Sequence, residues 1–427
     1  MRSCPRTNRA VPRGSLIFAS LGLLLSVPLA AHEPHKSSPA PAAAPAVALP
    51  PAAVALPAGW VESPPPAATK AFAPMLAADG DGVLATWLEP RPAGGHRIRF
   101  ARWADGAWSA ATTVREGKTL FANWADVPGV VRAPDRALYA WWLERSAADT
   151  YAYDALLARS TDGGVTFRPL GALHEDRSAV EHGFVSAVVE GAGVRFFFLD
   201  GRATATGAPM QLRSVFVAGD RIGASELVDD SVCDCCSTAA VGWTGGSAVA
   251  YRDRTAAEIR DVQVAIRSLA GGLATHPVGS DNWKIAGCPV NGPALAADGR
   301  RLAVAWFSAP EDHARMAVAL SADGGATWSP PRALPGVAAG KPMGQLALAP
   351  VPGGFGAAWL ENAGDFAELR FARLDESGRV GPAVPVARLA AGRAAGIPRL
   401  ARTSERLTLA WVDAQAQRLR FAAIAVP

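Results

Sequence analysis

One short pattern of apolar residues recurs along the whole chain. Ala-Thr-Trp-Leu-Glu at 85–89, Ala-Trp-Trp-Leu-Glu at 140–144 and Ala-Ala-Trp-Leu-Glu at 357–361 are near copies of one another, and four looser versions accompany them. The aromatic residues at the shared position are 52 to 56 residues apart, and they are Trp87, Trp142, Phe198, Tyr251, Trp306, Trp359 and Trp411. An interval of this length and regularity indicates an internal structural repeat.

Each copy is followed by a polar loop and by a second run in which apolar and polar residues alternate. Examples are Arg-Ile-Arg-Phe-Ala at 97–101, Glu-Leu-Arg-Phe-Ala at 368–372 and Arg-Leu-Arg-Phe-Ala at 418–422. Alternation with a period of two is typical of a half-buried β strand, so each unit is a β hairpin with a further strand on either side. Four antiparallel strands recurring about every 54 residues are what a propeller blade requires. The sequence therefore predicts an all-β protein, a seven-bladed β-propeller of four-stranded blades.

The last of the seven units lacks a strand. The chain ends at Pro427, just after the predicted third strand of the seventh blade. The segment around Trp60, ahead of the first blade, can supply the missing outer strand and close the ring without leaving a free edge. The propeller is therefore predicted to span residues 59–427.

The first 58 residues differ in composition from the repeats. Four arginines precede the apolar run at 16–31, and this arrangement predicts a secretory signal peptide over residues 1–31. Residues 32–58 are mostly proline and alanine and predict an extended linker. No later run approaches the roughly 20 apolar residues that span a bilayer. We therefore expect a periplasmic or secreted protein without a membrane span.

The net charge argues against a nucleic-acid partner. Without the four leader arginines the formal net charge falls from +4 to zero, and no basic patch remains for a phosphate backbone. We expect a monomer whose partner is a small ligand, a glycan or a metal ion.

Two polar strings carry a family resemblance. Ser-Thr-Asp-Gly-Gly-Val-Thr-Phe at 160–167 and Ser-Ala-Asp-Gly-Gly-Ala-Thr-Trp at 321–328 resemble the Asp-box, or BNR, repeat of sialidase-like propellers. Both fall between predicted third and fourth strands, where that motif belongs. Asp162 and Asp323 are expected to cap the turn, while the glycines supply positive φ angles. The motif is a folding device, so the resemblance concerns the fold.

The resemblance implies exo-sialidase activity as an alternative, but no catalytic residue carries over. Sialidases of this superfamily are usually six-bladed and carry an Arg-Ile-Pro element near the first blade. They bind the carboxylate of the substrate with three arginines and use a tyrosine as the nucleophile. Here Gly-Ile-Pro-Arg at 396–399 lies in the last blade in the wrong order, and Tyr251 occupies a packing position. The chain is more similar to bacterial secreted sialidase-like proteins with Cys-Asp-Cys-Cys and Gly-Cys-Pro-Val-Asn-Gly-Pro motifs, found here at 233–236 and 287–293.

The unusual polar strings map to one face of the predicted propeller. Loops from strand four to the next strand one, and from strand two to strand three, emerge together around the central channel, where ligands are expected. The predicted ligand-binding residues are Asp126, Glu181, Arg252, Asp253, Arg254, Glu258, Arg260, Lys284, Asn291 and Gln345. Arginine side chains match carboxylates, although a solvated ion-pair network is an equal alternative. Asp126, Glu181 and Asp234 could provide a general acid and base or could cap loop backbone.

Four cysteines fall in two of these loops. Exported thiols usually oxidise, so one or two disulfides are expected, for instance Cys288 with one of Cys233, Cys235 and Cys236. A copper or zinc site is the alternative, to which His182 of the neighbouring loop could contribute. A thiol–disulfide redox function is a third possibility.

The sequence thus predicts an exported, sialidase-like propeller that binds a small ligand or a soft metal ion at a cysteine-rich, charged site on the channel face. The alternatives from other classes are an exo-sialidase-type glycoside hydrolase and a disulfide-stapled protein-binding scaffold. The remaining histidines share no spacing and are expected at the surface, and they are His96, His174, His276 and His313.

Overall fold

The structure is a computed structural model that describes residues 54–335 and 341–426. The predicted signal peptide over 1–31 and the linker as far as residue 53 lie outside the described residues. The described chain forms seven antiparallel sheets, which confirms the seven-bladed β-propeller. Its helical segments are three short 3-10 turns, Thr204–Thr206, Pro310–Asp312 and Arg393–Ala395. No helix in the described ranges has the length and apolarity that a membrane crossing requires.

The strands of the first four blades follow one another along the chain. The closing strand and blade one comprise β1 (Trp60–Glu62), β2 (Phe72–Asp79), β3 (Gly82–Pro90), β4 (His96–Ala104), β5 (Ala107–Trp108) and β6 (Thr112–Gly117). Blade two comprises β7 (Gly129–Arg132), β8 (Leu138–Arg145), β9 (Tyr153–Ser160) and β10 (Arg168–Ala172). Blade three comprises β11 (His182–Glu190), β12 (Gly193–Asp200), β13 (Met210–Ala218), β14 (Arg221–Ile222) and β15 (Glu226–Val232). Blade four comprises β16 (Ala239–Trp243), β17 (Gly246–Arg252), β18 (Val262–Ser268) and β19 (Leu273–Pro277).

The remaining blades repeat the same order. Blade five comprises β20 (Ala294–Asp298), β21 (Arg301–Ser308), β22 (Arg315–Ser321) and β23 (Arg332–Ala333). Blade six comprises β24 (Lys341–Val351), β25 (Gly354–Asn362), β26 (Phe366–Asp375) and β27 (Val384–Ala390). Blade seven comprises β28 (Arg399–Arg402), β29 (Arg406–Asp413) and β30 (Arg418–Ala425). In blades one and three the outermost position is shared by two short strands, β5 with β6 and β14 with β15.

The recurring Trp-Leu-Glu pattern marks the second strand of a blade, which neighbouring blades cover on both faces. Trp87 and Trp359 are fully buried in β3 and β25. Each indole Nε1 donates a hydrogen bond to the glutamate two positions later, to Glu89 Oε1 at 2.8 Å and to Glu361 Oε1 at 2.7 Å. The two buried polar groups thereby satisfy each other. This pairing explains why a glutamate belongs to an otherwise apolar strand.

The N-terminal strand closes the ring. β1 pairs antiparallel with β30, with Trp60 opposite Ile424, and so provides the outer strand of blade seven. Trp60 is buried, and its ring meets that of Phe371 in blade six edge-on, with centroids 5.2 Å apart. The prediction that an N-terminal strand completes the last blade is confirmed.

Two turns between third and fourth strands have the geometry expected from their aspartates. The Thr166 amide and hydroxyl donate to Asp162 at 3.0 and 2.6 Å. In blade five the Thr327 amide and hydroxyl donate to Asp323 at 2.9 and 2.6 Å. Gly164 has a φ of +95°, a conformation that side chains disfavour. Each turn is therefore fixed by one carboxylate and by glycine.

One predicted loop proves to be a strand. Residues 341–345 have the polar, proline- and glycine-containing sequence of a loop into blade six, and Gln345 was predicted to lie on one of the loops of the channel face, but these residues begin β24 and pair with β25. The pairing shifts register between Pro342 and Gly344 and again between Gly344 and Ala347. Such bulges accommodate a proline, which cannot donate a ladder hydrogen bond, so the sequence looked like a loop. Gln345 consequently lies on the innermost strand of blade six.

Candidate functional site

The innermost strands of the seven blades enclose a central channel with a volume of about 500 Å³. Its wall is mostly alanine, valine and leucine. The charged side chains that line it, among the described residues, are Arg399 and Arg402, both on β28. The channel is thus an apolar cavity with positive charge on one side.

Neither arginine is paired with a carboxylate in the described part of the chain. Arg399 Nε donates to Pro74 O at 3.3 Å, which leaves its two terminal nitrogens without a protein partner. Arg402 Nε is buried and has no hydrogen-bond partner. Burial lowers the pKa of Arg399 to about 10, although the carboxyl of Asp126 acts in the opposite direction. Arg399 is therefore protonated at neutral pH, and both guanidinium groups are available to an anion in the channel.

Polar side chains surround the mouth of the channel, defined here as the end at which the innermost strands begin. Arg399 is the first residue of β28 and lies at this end. Ser186 and Thr238 share a hydrogen bond of 2.7 Å between their hydroxyls. Asn291 Oδ1 accepts from the Gln345 amide at 3.0 Å, while Gln345 Oε1 is buried without a partner. The structure thus brings Asn291 and Gln345, both predicted ligand-binding residues, to one mouth.

Asp126 and Glu181 are two carboxyl groups that influence each other electrostatically, and Glu181 is bonded to Tyr153, a residue that sequence reasoning missed. Asp126 is buried, accepts from the Phe184 amide at 2.7 Å and has a pKa raised well above its usual range by burial. Burial also raises the pKa of Glu181 to about 7, although the hydroxyl of Tyr153 donates to its carboxylate. Tyr153 is itself buried, and the ring of Phe121 stacks on it at 4.1 Å. The pair is therefore largely shielded from water.

The cysteine loop contains one disulfide and one pair of free thiols. Cys235 and Cys288 are bonded, which confirms the expected disulfide between the clustered cysteines and the distant one. Cys233 and Cys236 are buried and free, with their Sγ atoms 2.9 Å apart. The hydrogen bond between the two sulfurs lowers the pKa of Cys233, and Arg260 Nη1 donates to the Cys233 sulfur at 3.4 Å. Burial raises the pKa of Cys236, so the pKa values of the two thiols are shifted in opposite directions.

The disulfide leaves Cys233 and Cys236 as the free sulfurs for the copper or zinc site considered from the sequence. The disulfide removes Cys235 and Cys288 from the set of possible ligands. Two sulfurs bound to one tetrahedral zinc ion, each at about 2.3 Å, lie roughly 3.8 Å apart. Cys233 and Cys236 are closer than that distance. The disulfide holds two loops together, and binding of copper or zinc by the free cysteines stays a prediction.

Arg252 is a buried structural cation and does not face a ligand. Its side chain donates to the backbone carbonyl oxygens of Arg260 at 2.6 Å, Asn291 at 2.9 Å and Phe307 at 2.7 Å. Its guanidinium also lies over the ring of Trp283. Arg252 therefore holds the cysteine-containing loop before blade five against blades four and five.

The other charged residues of this hairpin pair with one another. Glu258 accepts from Arg254 at 2.7 Å and from Arg260 at 2.8 Å, and Arg260 also contacts Asp234 at 3.1 Å. This is the ion-pair network that the sequence left as an alternative to an anion-binding surface. Asp253 accepts from Gln263 at 2.9 Å.

Lys284 is an exposed residue of the loop before blade five. It lies opposite Ile259 in an isolated β bridge, which joins this loop to the charged hairpin.

His182 does not join the cysteines. It is fully buried and stacks on His174, with ring centroids 3.7 Å apart, so the expectation that His174 is a surface residue was wrong. His182 Nε2 lies 3.1 Å from Asp176 Oδ2. Among the described residues, the clusters of potential metal ligands place His182 with Asp154 and His174 and place the cysteines elsewhere.

The fold and the channel define a propeller with an internal cavity that carries positive charge on one side. No protein-family model matches the sequence, and no curated protein is significantly similar to it. Solved structures do match. A polysaccharide lyase PL25 ulvan lyase bound to -[GlcA(1-4)Rha3S]- is 11% identical, with a TM-score of 0.52, over 86% of this chain and 96% of the lyase.

Two further structures are less similar in shape. A protein of unknown function from Dyadobacter fermentans has a TM-score of 0.45 and 11% identity, over 88% of this chain and 100% of its own. A mutant of the NanB sialidase from Streptococcus pneumoniae has a TM-score of 0.42 and 10% identity, over 83% of this chain and 68% of its own. At such identities the likeness concerns the fold alone.

Proposed function

We propose that this protein is an exported propeller that binds a small anionic ligand of the glycan class, a sugar bearing a carboxylate or sulfate, in its central channel. The observation that carries the proposal is the unpaired state of Arg399 and Arg402, the charged residues of the channel wall. A guanidinium group that lacks a carboxylate partner inside an apolar cavity interacts strongly with an anion, because little water screens the charge.

The channel has the size and the polar groups that a sugar requires. Its volume of about 500 Å³ falls within the range of small-molecule sites. The hydroxyls of Ser186 and Thr238 and the side-chain amide of Gln345 line the channel and can exchange hydrogen bonds with sugar hydroxyls, while the Asn291 side chain is bonded to the backbone of Met343 and Gln345. The fold-level neighbour with a TM-score of 0.52 was solved with an acidic, sulfated saccharide, which makes that ligand class the first to test.

The cysteines support the proposed site by holding two loops at the mouth of the channel in place. The Cys235–Cys288 disulfide ties the loop before β16 to the loop before β20. These loops carry Thr238 and Asn291. The predicted cysteine-rich site is thus assigned a supporting role, and the predicted leader over residues 1–31 directs the protein to an oxidising compartment where such a disulfide persists.

An exo-sialidase-type hydrolase is the second candidate, because the Tyr153 hydroxyl is hydrogen-bonded to Glu181 as a nucleophile would be to its base. This candidate ranks lower because Tyr153 is buried under Phe121 and does not line the channel. Turnover of a chromogenic sialoside that disappears in Tyr153→Phe would favour hydrolysis over binding.

Calorimetric titration with glucuronate, N-acetylneuraminate and neutral glucose tests the binding proposal. We expect the acidic sugars to bind and glucose to bind much more weakly. Arg399→Gln and Arg402→Gln should each weaken binding of the acid roughly 10- to 100-fold, the usual contribution of a hydrogen bond to a charged group. Arg393→Gln removes the same charge from an exposed position and is the matched control. Equal binding of glucose and glucuronate, or unchanged affinity in both channel variants, would contradict the proposal.

A further inference from the structure

The two free thiols of the cysteine loop lie against the disulfide of the same loop. Cys233 Sγ is 3.9 Å from Cys235 Sγ, one of the two bonded sulfurs, and 2.9 Å from Cys236 Sγ. These three cysteines are buried and pack against Val290 in one small cluster. The sulfur of Cys233 therefore contacts both a disulfide sulfur and a second free thiol.

The surroundings of Cys233 hold it in place and favour its reactive form. Its backbone amide donates to the Arg252 carbonyl oxygen at 2.9 Å. Arg260 Nη1 donates to the Cys233 sulfur at 3.4 Å, and the Arg260 side chain is itself buried. A cationic neighbour and a second cysteine three residues away both favour the thiolate. The thiolate is the species that attacks a disulfide.

The two bonded cysteines differ in their exposure to solvent. Cys235 is buried beside Cys233, whereas Cys288 is an exposed residue of the loop before blade five. In disulfide exchange the thiolate bonds to one sulfur and the other sulfur leaves. Attack by Cys233 on the neighbouring sulfur of Cys235 therefore releases the cysteine that solvent can reach.

We propose that the four cysteines form one exchange unit, in which the disulfide between Cys235 and Cys288 converts to a disulfide between Cys233 and Cys236. In the first step the Cys233 thiolate attacks Cys235 Sγ, a Cys233–Cys235 bond forms, and Cys288 leaves as a thiolate that takes up a proton. In the second step Cys236 gives its proton to solvent and attacks Cys233 Sγ, and Cys235 leaves and is protonated. One disulfide and two thiols are present before and after, so the conversion consumes no oxidant or reductant.

The new disulfide requires little movement. Bonded sulfurs are about 2.05 Å apart, so the Cys233 and Cys236 sulfurs need to approach each other by less than roughly 1 Å. The two residues also have the spacing of Cys-X-X-Cys motifs, which are common in disulfide exchange proteins.

The conversion removes a covalent link between two blades. Cys235–Cys288 joins the loop before β16 to the loop before β20, whereas Cys233–Cys236 lies within one loop. The loop that carries Cys288 is then free to move away from the channel mouth. The exchange itself needs no ligand, although its effect on ligand binding rests on the proposed function. The disulfide chemistry can therefore be tested separately from glycan binding.

Alkylation of the native protein tests the exchange. The protein, purified without reductant, is incubated with N-ethylmaleimide at mildly alkaline pH, and its disulfides are mapped over several hours by mass spectrometry of unreduced peptides. We expect Cys288 to become alkylated while the Cys233–Cys236 disulfide appears, because the reagent traps the exposed thiol and prevents the reverse reaction. The rate should not depend on protein concentration, since the exchange takes place within one chain.

Two serine variants separate the steps. Cys233→Ser removes the attacking sulfur, so the Cys235–Cys288 disulfide should persist and Cys288 should stay unalkylated. Cys236→Ser is the matched control, because it also removes one buried thiol but should still release Cys288, with a Cys233–Cys235 disulfide as the product.

The map of the native protein decides the result even where a variant folds poorly. A Cys235–Cys288 disulfide that persists in the native protein throughout the incubation would overturn the proposal. Alkylation of Cys288 at the native rate in Cys233→Ser, no release of Cys288 in Cys236→Ser, or a rate that rises with protein concentration would overturn it as well.

Discussion

The guanidinium carbon of Arg252 lies 4.9 Å from the centre of the Trp283 ring. The same side chain donates hydrogen bonds to the carbonyl oxygens of Asn291 and Phe307. A charged residue at the end of β17 is therefore part of the core, where it connects blade four with the loop and the second strand of blade five.

Replacing Arg252 should strongly destabilise the protein. Arg252→Leu would leave several buried carbonyl oxygens without a donor, so we expect a loss of about 3–5 kcal/mol in the free energy of unfolding. Arg254→Ala, two residues away, breaks a partly exposed ion pair and should cost no more than about 1 kcal/mol. Chemical denaturation of both variants measures the difference. Similar losses in the two would show that Arg252 does not hold the loop.

Reduction of the disulfide should loosen the mouth of the channel. Cys235 and Cys288 are 53 residues apart in sequence, and closing a loop of that length stabilises the folded state by about 4 kcal/mol in the chain-entropy model. We expect Cys235→Ala/Cys288→Ala to lose about this amount in chemical denaturation. Reductant should destabilise the native protein and leave the double variant unchanged. A native protein insensitive to reductant would contradict the assignment.

Neighbouring glycines in the first Asp-containing turn should respond differently to alanine. Gly163 has a φ of +77° and open space where a Cβ would lie, so Gly163→Ala should cost only about 1 kcal/mol. Gly164 has a φ of +95°, and its Cβ would collide with the Phe100 ring. Gly164→Ala should therefore cost about 3 kcal/mol or more. Thermal unfolding compares the two, and equal effects would rule out the collision as the cause.

Binding of an acidic sugar should weaken at high pH. Burial lowers the pKa of Arg399 to about 10, and the anion needs the protonated guanidinium. Affinity should thus decline as the pH rises through about 10, above the range in which Glu181 titrates. Arg399→Gln removes this group and should give a flat profile, because Arg402 remains charged. Calorimetric titration at several pH values provides the measurement, and a native profile as flat as that of the variant would contradict the assignment.

Much of the fold could be predicted because its signal is local and repeated. Strands such as β3 are buried on both faces, so each blade needs the same run of apolar residues near Trp87 or its equivalents. The order of strands within a blade then placed Cys235 and Cys288 on adjacent loops, and the structure joins them. The bulged start of β24 was not predicted as a strand, because Pro342 and Gly344 suggest a loop.

The candidate sites were harder to predict because they depend on which way side chains point. Arg252 and Arg399 are equally charged in the sequence, yet one is bonded to backbone carbonyls and the other faces the channel. His174 and His182 share no recognised spacing, and their contact arises only when the loop after β10 folds back on β11. The sequence did carry one signal for this contact, which is a histidine at each end of the loop between blades two and three.

Closure of the ring by β1 has a consequence for how the molecule forms. The seventh sheet joins residues from opposite ends of the domain, and Arg420 pairs with Glu62, 358 positions earlier in the sequence. Bringing such distant segments together costs much chain entropy before any contact compensates for it. Blades one to six can form from local hairpins as soon as they are available. The pairing of β1 with β30 should therefore form last. An intermediate with an open ring should expose the edges of the first and last blades.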